Sequence, residues 1–226
     1  MSVTFERRGS TAVLTLASPA TRNAFSAEIR EGLASGISHA AGDAAVRALV
    51  ITGSGGVFCA GGDIRGMGSA FADNDGGAWR SRMHGTQRWM AELLAMDKPV
   101  IAAVDGPAYG AGFSIALAAD FVLATPAARF CLSFMKLGLV PDCGAFYTLP
   151  RVVGAQRAKE LMLSAREVGA EEALRLGIAM ELHSADALLP RALALAASFE
   201  GASPLATSLV KRAMLNPGEL AALLDG

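Results

Sequence analysis

Twice along this chain a short apolar run ends at once in a glycine-rich loop. Arg47–Thr52 gives way to Gly53–Gly68, and Val100–Val104 to Gly106–Gly112. An apolar run closed by glycine reads as a buried strand. Small residues at its end let a ligand approach the backbone closely. The second loop, Asp105-Gly106-Pro107-Ala108-Tyr109-Gly110-Ala111-Gly112, opens an apolar helix that runs through Ala119. The free N–H groups at such a helix start favour a negative oxygen. Two N–H donors converging on one oxygen make an oxyanion hole. On spacing alone, plain tight turns are an equal reading of both loops.

The flanking sequence gives the loops a context. Val3–Arg7 and Thr11–Leu16 alternate around Gly9-Ser10, a hairpin signal. Ser26 caps a helix to about Ala40, with Glu28 and Glu31 near its positive end. Ala70–Gly77 reads as a mobile segment, and Trp79–Met96 as a helix stopped by Asp97-Lys98-Pro99. Phe121–Ala124 and Ala179–Leu182 read as strands. Leu149–Leu163, Ala170–Leu176, Asp186–Glu200 and Pro204–Leu215 read as helices. Strands alternating with helices make the class α/β.

Several functions are disfavoured. With 226 residues and 52% hydrophobic content, the chain can bury a sizeable core. Its mean hydropathy is +0.38, it is rich in the small residues alanine and glycine, and no run is long enough to span a membrane. A net charge of −1 without a basic stripe argues against nucleic acid. Cys59, Cys131 and Cys143 form no CxxC pair, and the N-terminus carries no apolar leader. The expectation is a reduced, cytoplasmic protein. His39, His84 and His183 show no metal-ligand spacing, so no metal is expected. Gly53-Ser54-Gly55-Gly56 lacks the lysine of a phosphate loop, and Gly110-Ala111-Gly112 lacks the third glycine of a dinucleotide fingerprint. Gly112-Phe113-Ser114-Ile115-Ala116 is one residue short of a nucleophile elbow. Ser114 as nucleophile needs a base, and no histidine stands in a recognisable partner motif.

Four segments carry a family resemblance. Phe58–Ile64 (FCAGGDI) and Val104–Leu123 (VDGPAYGAGFSIALAADFVL) resemble the two oxyanion segments of the enoyl-CoA hydratase/isomerase (crotonase) superfamily. Arg22-Asn23-Ala24 is similar to its early coenzyme A-contacting segment, and Leu137–Gly154 to its third signature. The resemblance implies a crotonase fold, a spiral of ββα turns over residues 1–200, with a shortened helical segment over 201–226. It implies that the thioester carbonyl of an acyl-CoA substrate is held by the Gly62 and Ala111 N–H groups. Arg22, Ala24, Ala60, Asp63 and Ile64 fall on coenzyme A-contacting positions. No cofactor is permanently bound, and coenzyme A arrives as part of the substrate.

The resemblance also bears on the reaction. Hydratases of this family use two glutamates, and their positions here carry Ser114 and Phe134. Water activation and carbon protonation need two acid/base groups. One carboxylate remains in the third signature, Asp142. The segment Phe134–Gly144 resembles the ring-epoxide isomerases of phenylacetate breakdown, in which an aspartate here is the acid/base; a helix cap is its bland reading. The same position carries the nucleophile of the 4-chlorobenzoyl-CoA dehalogenases, a covalent variant. Asp63 and Asp105 are rivals, expected to support loops. The expectation is an isomerase using Asp142. A Ser114 hydrolase and a non-catalytic acyl-CoA binder are the alternatives. The shared fold implies a homotrimer or hexamer built largely through C-terminal helices, of which Pro204–Leu215 is the first.

Overall fold

The computed structural model describes residues 2–63, 76–216 and 218–220. Its main sheet has six strands: β1 (Val3–Arg8), β2 (Thr11–Leu16), β3 (Ala48–Gly53), β4 (Val100–Val104), β6 (Phe121–Ala124) and β9 (Glu181–Leu182), in the order β1-β2-β3-β4-β6-β9. The hairpin expected around Gly9 is present, with Val3 opposite Leu16. All other pairs are parallel, as in Val13 beside Val50 and Val50 beside Ile101.

Parallel strands need long crossovers, which here are helices, so both faces of the sheet are covered. One face packs Leu14, Leu49, Ile51 and Val100 against α1 (Ala27–Gly42), α2 (Gly76–Leu94) and α3 (Ala111–Leu117). The other packs Val13, Val50, Ile101 and Leu123 against Leu188, Ala192 and Ala196 of α7 (Ala185–Ala197). Burial on both faces is why these strands read as unbroken apolar runs. Ser26 caps α1 by accepting from the Ile29 N–H at 3.4 Å, and Ile29, Leu33, Ile37 and Ala40 form its buried stripe.

A second, smaller sheet runs β5-β7-β8, from β5 (Pro107–Tyr109), β7 (Arg129–Cys131) and β8 (Val168–Gly169). Single bridges from Phe25 to Gly62 and from Cys59 to Ala108 continue this layer across the earlier turns. Each turn therefore carries a long strand in one layer, a short extended piece in the other, and a helix: the expected ββα spiral.

Three sequence expectations change. Pro107–Tyr109 is a strand rather than part of a turn. The helix expected over Leu149–Leu163 is two, α4 (Ala145–Val153) and α5 (Ala155–Ser164), broken at Gly154 with φ +78°. Gly76 and Gly77 open α2, while the rest of the Ala70–Gly77 segment lies outside the described residues. The chain continues through α6 (Ala170–Arg175) and α7 to α8 (Pro204–Met214). No described helix is long and apolar enough to cross a membrane.

Candidate active site

Two backbone segments meet where the glycine loops cross. The Cys59 N–H donates to the Pro107 carbonyl at 3.0 Å, and the Tyr109 N–H returns a bond to the Cys59 carbonyl at 2.9 Å. Approach this close demands glycine. A Cβ on Gly112 would sit 2.6 Å from both Cβ and O of Cys59, and one on Gly61 would meet the Tyr109 carbonyl at 2.9 Å. Gly61 also has φ +91°, which side chains resist.

The first loop is tied on its other side to Arg22–Phe25. The Ala60 N–H donates to the Arg22 carbonyl at 3.0 Å, and the Phe25 N–H to the Gly61 carbonyl at 2.8 Å. Asn23 is fully buried and locks the junction. Its Nδ2 donates to the Ser54 and Val57 carbonyls at 3.0 and 2.7 Å, and its Oδ1 accepts from the Ser18 N–H at 2.8 Å. The Phe25 bridge uses the Gly61 carbonyl and leaves the Gly62 N–H out of that ladder. Ala111 begins α3, so its N–H has no partner within the helix.

Gly62, Ala111 and Asp142 line one cavity of about 170 Å³. The three residues expected to carry chemistry are therefore brought together, although they lie far apart in sequence. The remaining wall is mostly apolar: Phe25, Phe134, Leu137, Leu139 and Val140. Arg30 and Asp142 are the charged residues of the described lining. Arg30 donates to the Phe25 carbonyl at 3.2 Å, with its guanidinium 5.7 Å above the Phe25 ring. The sequence reading did not single out Arg30, Thr86 or Cys143, which share this lining. For Arg30 the available signal was its place beside the buried stripe of a capped helix.

Asp142 is half-buried and lies two residues before Gly144, from which α4 starts. Its carbonyl accepts the Ala145 N–H at 3.1 Å across a turn in which Cys143 and Gly144 both have positive φ, +52° and +75°. Burial pushes the Cys143 thiol well above the ordinary range, reinforced by the charge and hydrogen bond of Asp142. Burial likewise pushes Cys59 up to about 11. Both thiols stay protonated near neutral pH and are poor nucleophiles.

The rivals lie elsewhere. Asp105 accepts from the Thr125 hydroxyl at 2.8 Å and lies outside the cavity lining, as do Arg22, Ala24, Ala60 and Asp63. Ile64 lies outside the described residues. Ser114 is fully buried, and its hydroxyl donates to the Asp142 carbonyl at 3.1 Å. His183 pairs with Glu181 at 2.7 Å, and His39 packs on Phe5 at 4.6 Å. No histidine is in the described cavity lining, so Ser114 has no imidazole base there.

Residues 6–224 match the family model described as enoyl-CoA hydratase/isomerase. The chain belongs to the enoyl-CoA hydratase/isomerase family. A probable enoyl-CoA hydratase of Rhodobacter capsulatus is 40% identical over 180 residues, covering 80% of this chain and 68% of that protein. The 1,2-epoxyphenylacetyl-CoA isomerase of Escherichia coli is 36% identical over 203 residues, covering 89% of this chain and 77% of that one. A crystal structure of an enoyl-CoA hydratase/isomerase from Cupriavidus metallidurans superposes with a TM-score of 0.87 at 42% identity, over 98% of this chain and 84% of that one. The ββα spiral is thus the crotonase fold, and this acyl-CoA family contains both hydratases and isomerases.

Proposed function

We propose that this protein is a CoA-thioester isomerase with Asp142 as its single acid/base. The observation that carries the reading is the shared cavity of Gly62, Ala111 and Asp142, in which Asp142 is the one carboxylate of the described lining. The Gly62 and Ala111 N–H groups hold the thioester oxygen and stabilise the negative charge that gathers there as an enolate forms. Each such donor is worth roughly 3–4 kcal/mol in the transition state. Asp142 takes a proton from the α-carbon of a 3-enoyl thioester. The double bond moves into conjugation with the carbonyl, and the same carboxyl returns the proton to the γ-carbon. One group suffices because the proton is removed and returned rather than exchanged for water.

The apolar wall at Phe134 and the buried Ser114 speak against ordinary hydration, which needs two acid/base groups. Arg22, Ala24, Ala60, Asp63 and Ile64 remain the proposed contacts of the coenzyme A moiety. The test is Asp142→Asn assayed with 3-hexenoyl-CoA. Turnover should fall about a hundredfold or more with binding of the thioester nearly unchanged. Near wild-type turnover in that variant would remove Asp142 from the mechanism. Brisk hydration of crotonyl-CoA by the unmodified protein would favour the hydratase reading instead.

A further inference from the structure

We propose that Ser114 is a positioning residue that ties the acid/base turn to the helix bearing the Ala111 donor. The inference rests on Asp142 being the acid/base.

Serine is not a natural choice here. It is a middling helix former, and a fully buried hydroxyl is costly unless it is used. Ser114 has two acceptors within reach. One is the Gly110 carbonyl one helical turn back, at 3.4 Å. That bond is the usual self-satisfaction of a helical serine and would need nothing outside α3. The other is the Asp142 carbonyl, at 3.1 Å, from a segment 28 residues later. The shorter bond crosses to the catalytic turn.

That turn needs support. Cys143 is not glycine yet holds φ +52°, and Gly144 follows at +75°. A side chain in the left-handed region persists only where its surroundings hold it. The Asp142 carbonyl accepts from the Ala145 N–H and from Ser114 together, so the turn is closed from within and anchored from outside. Through Ser114 that anchor reaches the helix whose first residue is Ala111. The oxyanion donor and the carboxylate are thereby set relative to each other by one hydroxyl. Proton transfer depends steeply on that relation, since a misplacement near 1 Å costs up to about a hundredfold.

Ser114→Ala and Ser114→Cys test this, the second keeping a weaker donor. Two readings are taken on each: kcat and KM with 3-hexenoyl-CoA, and the rate of Cys143 alkylation by iodoacetamide, followed by peptide mass spectrometry. The thiol is buried and bonded to the Asp142 side chain, so its alkylation reports opening of the turn without any turnover. The alanine variant should lose roughly tenfold or more in kcat with KM nearly unchanged, and Cys143 should alkylate faster. The cysteine variant should fall between alanine and wild type on both readings. If the alanine variant does not fold, the same criteria apply to the cysteine variant. Unchanged Cys143 protection overturns the proposal, as does wild-type kcat in a variant whose Cys143 has opened. Failure of the acid/base assignment is read separately: Asp142→Asn would then keep its turnover, whatever the alkylation rates show.

Discussion

Two cavities among the described residues differ sharply in character. The one holding Gly62, Ala111 and Asp142 measures about 170 Å³, while the one beneath α8 measures about 650 Å³. The larger is walled by Leu117, Phe121, Phe199, Val210 and Met214, with Lys211 and Asp120 paired at its side. By size it is the obvious ligand site. By chemistry it is not, because neither donor segment reaches it, and its lysine is already bound to a carboxylate and to the Lys98 carbonyl. Burial pushes Lys211 below the ordinary lysine range, and Asp120 opposes the shift. The small cavity is formed by strand ends and glycine loops from distant parts of the chain. The large one is formed where a terminal helix lies on the body. Precision of placement, rather than room, separates a reaction site from a gap between elements.

The sharpest way to break this contrast is Gly112→Ala. The added methyl meets Cys59 at 2.6 Å, on backbone as well as side chain, so the two donor segments must part. We expect a loss of about a hundredfold or more in kcat/KM, the scale of one disabled oxyanion donor. Activity within a few-fold of wild type would mean that the crossing of the loops does not set the site.

A milder change is expected at the large cavity. Leu205, Leu209, Val210 and Met214 are exposed on α8, Met214 at 81%. An apolar surface of that kind marks an interface, and closed symmetry is the common outcome. We expect the wild-type protein to be an oligomer, a trimer by light scattering, and Leu209→Glu with Met214→Glu to dissociate it. Turnover per subunit should change only a few-fold, since no residue of the small cavity is touched. A monomeric wild type would mean that this surface has another use. Leu220 shows the other fate of the terminal leucines: it is buried beside Tyr147. Leu223 and Leu224 lie outside the described residues.

The same contrast explains what the sequence could and could not reveal. β3, β4 and β6 were legible because burial on both faces writes an unbroken apolar run, and β2 because it alternates beyond a glycine turn. β5 and β8 were not, because strands as short as Pro107–Tyr109 and Val168–Gly169 have no room for a period. Gly154 was read as part of one helix, since a single glycine in an apolar pattern does not announce a left-handed break. Gly62, Ala111 and Asp142 were singled out by the family resemblance, and the cavity they share is a product of the spiral that no local pattern encodes. The bond from Ser114 to the Asp142 turn was hidden for a related reason. Its acceptor is a backbone carbonyl 28 residues away, and any residue type could supply one.

The smallest predicted effect tests how α8 is fastened over the large cavity. Asp97 accepts from Arg212 at 2.9 and 2.8 Å and from the Ser208 hydroxyl at 2.6 Å. The Arg212 hydrogen bond, then Ser208, holds the Asp97 carboxyl below its ordinary value of 3.8. A carboxyl depressed in the folded state contributes stability that is present above its unfolded pKa and is lost as pH falls through the folded one. The pair is half exposed, so solvent screening keeps its contribution small. Arg212→Gln should therefore lower Tm by about 1–2 °C at pH 7, with the gap closing as pH falls below 3.8. Thermal melts across that range check the sign. A gap that stays constant on acidification would mean that Arg212 steadies α8 by packing its stem rather than by its charge. The small cavity should not register the change, because none of its described lining touches Asp97 or Arg212.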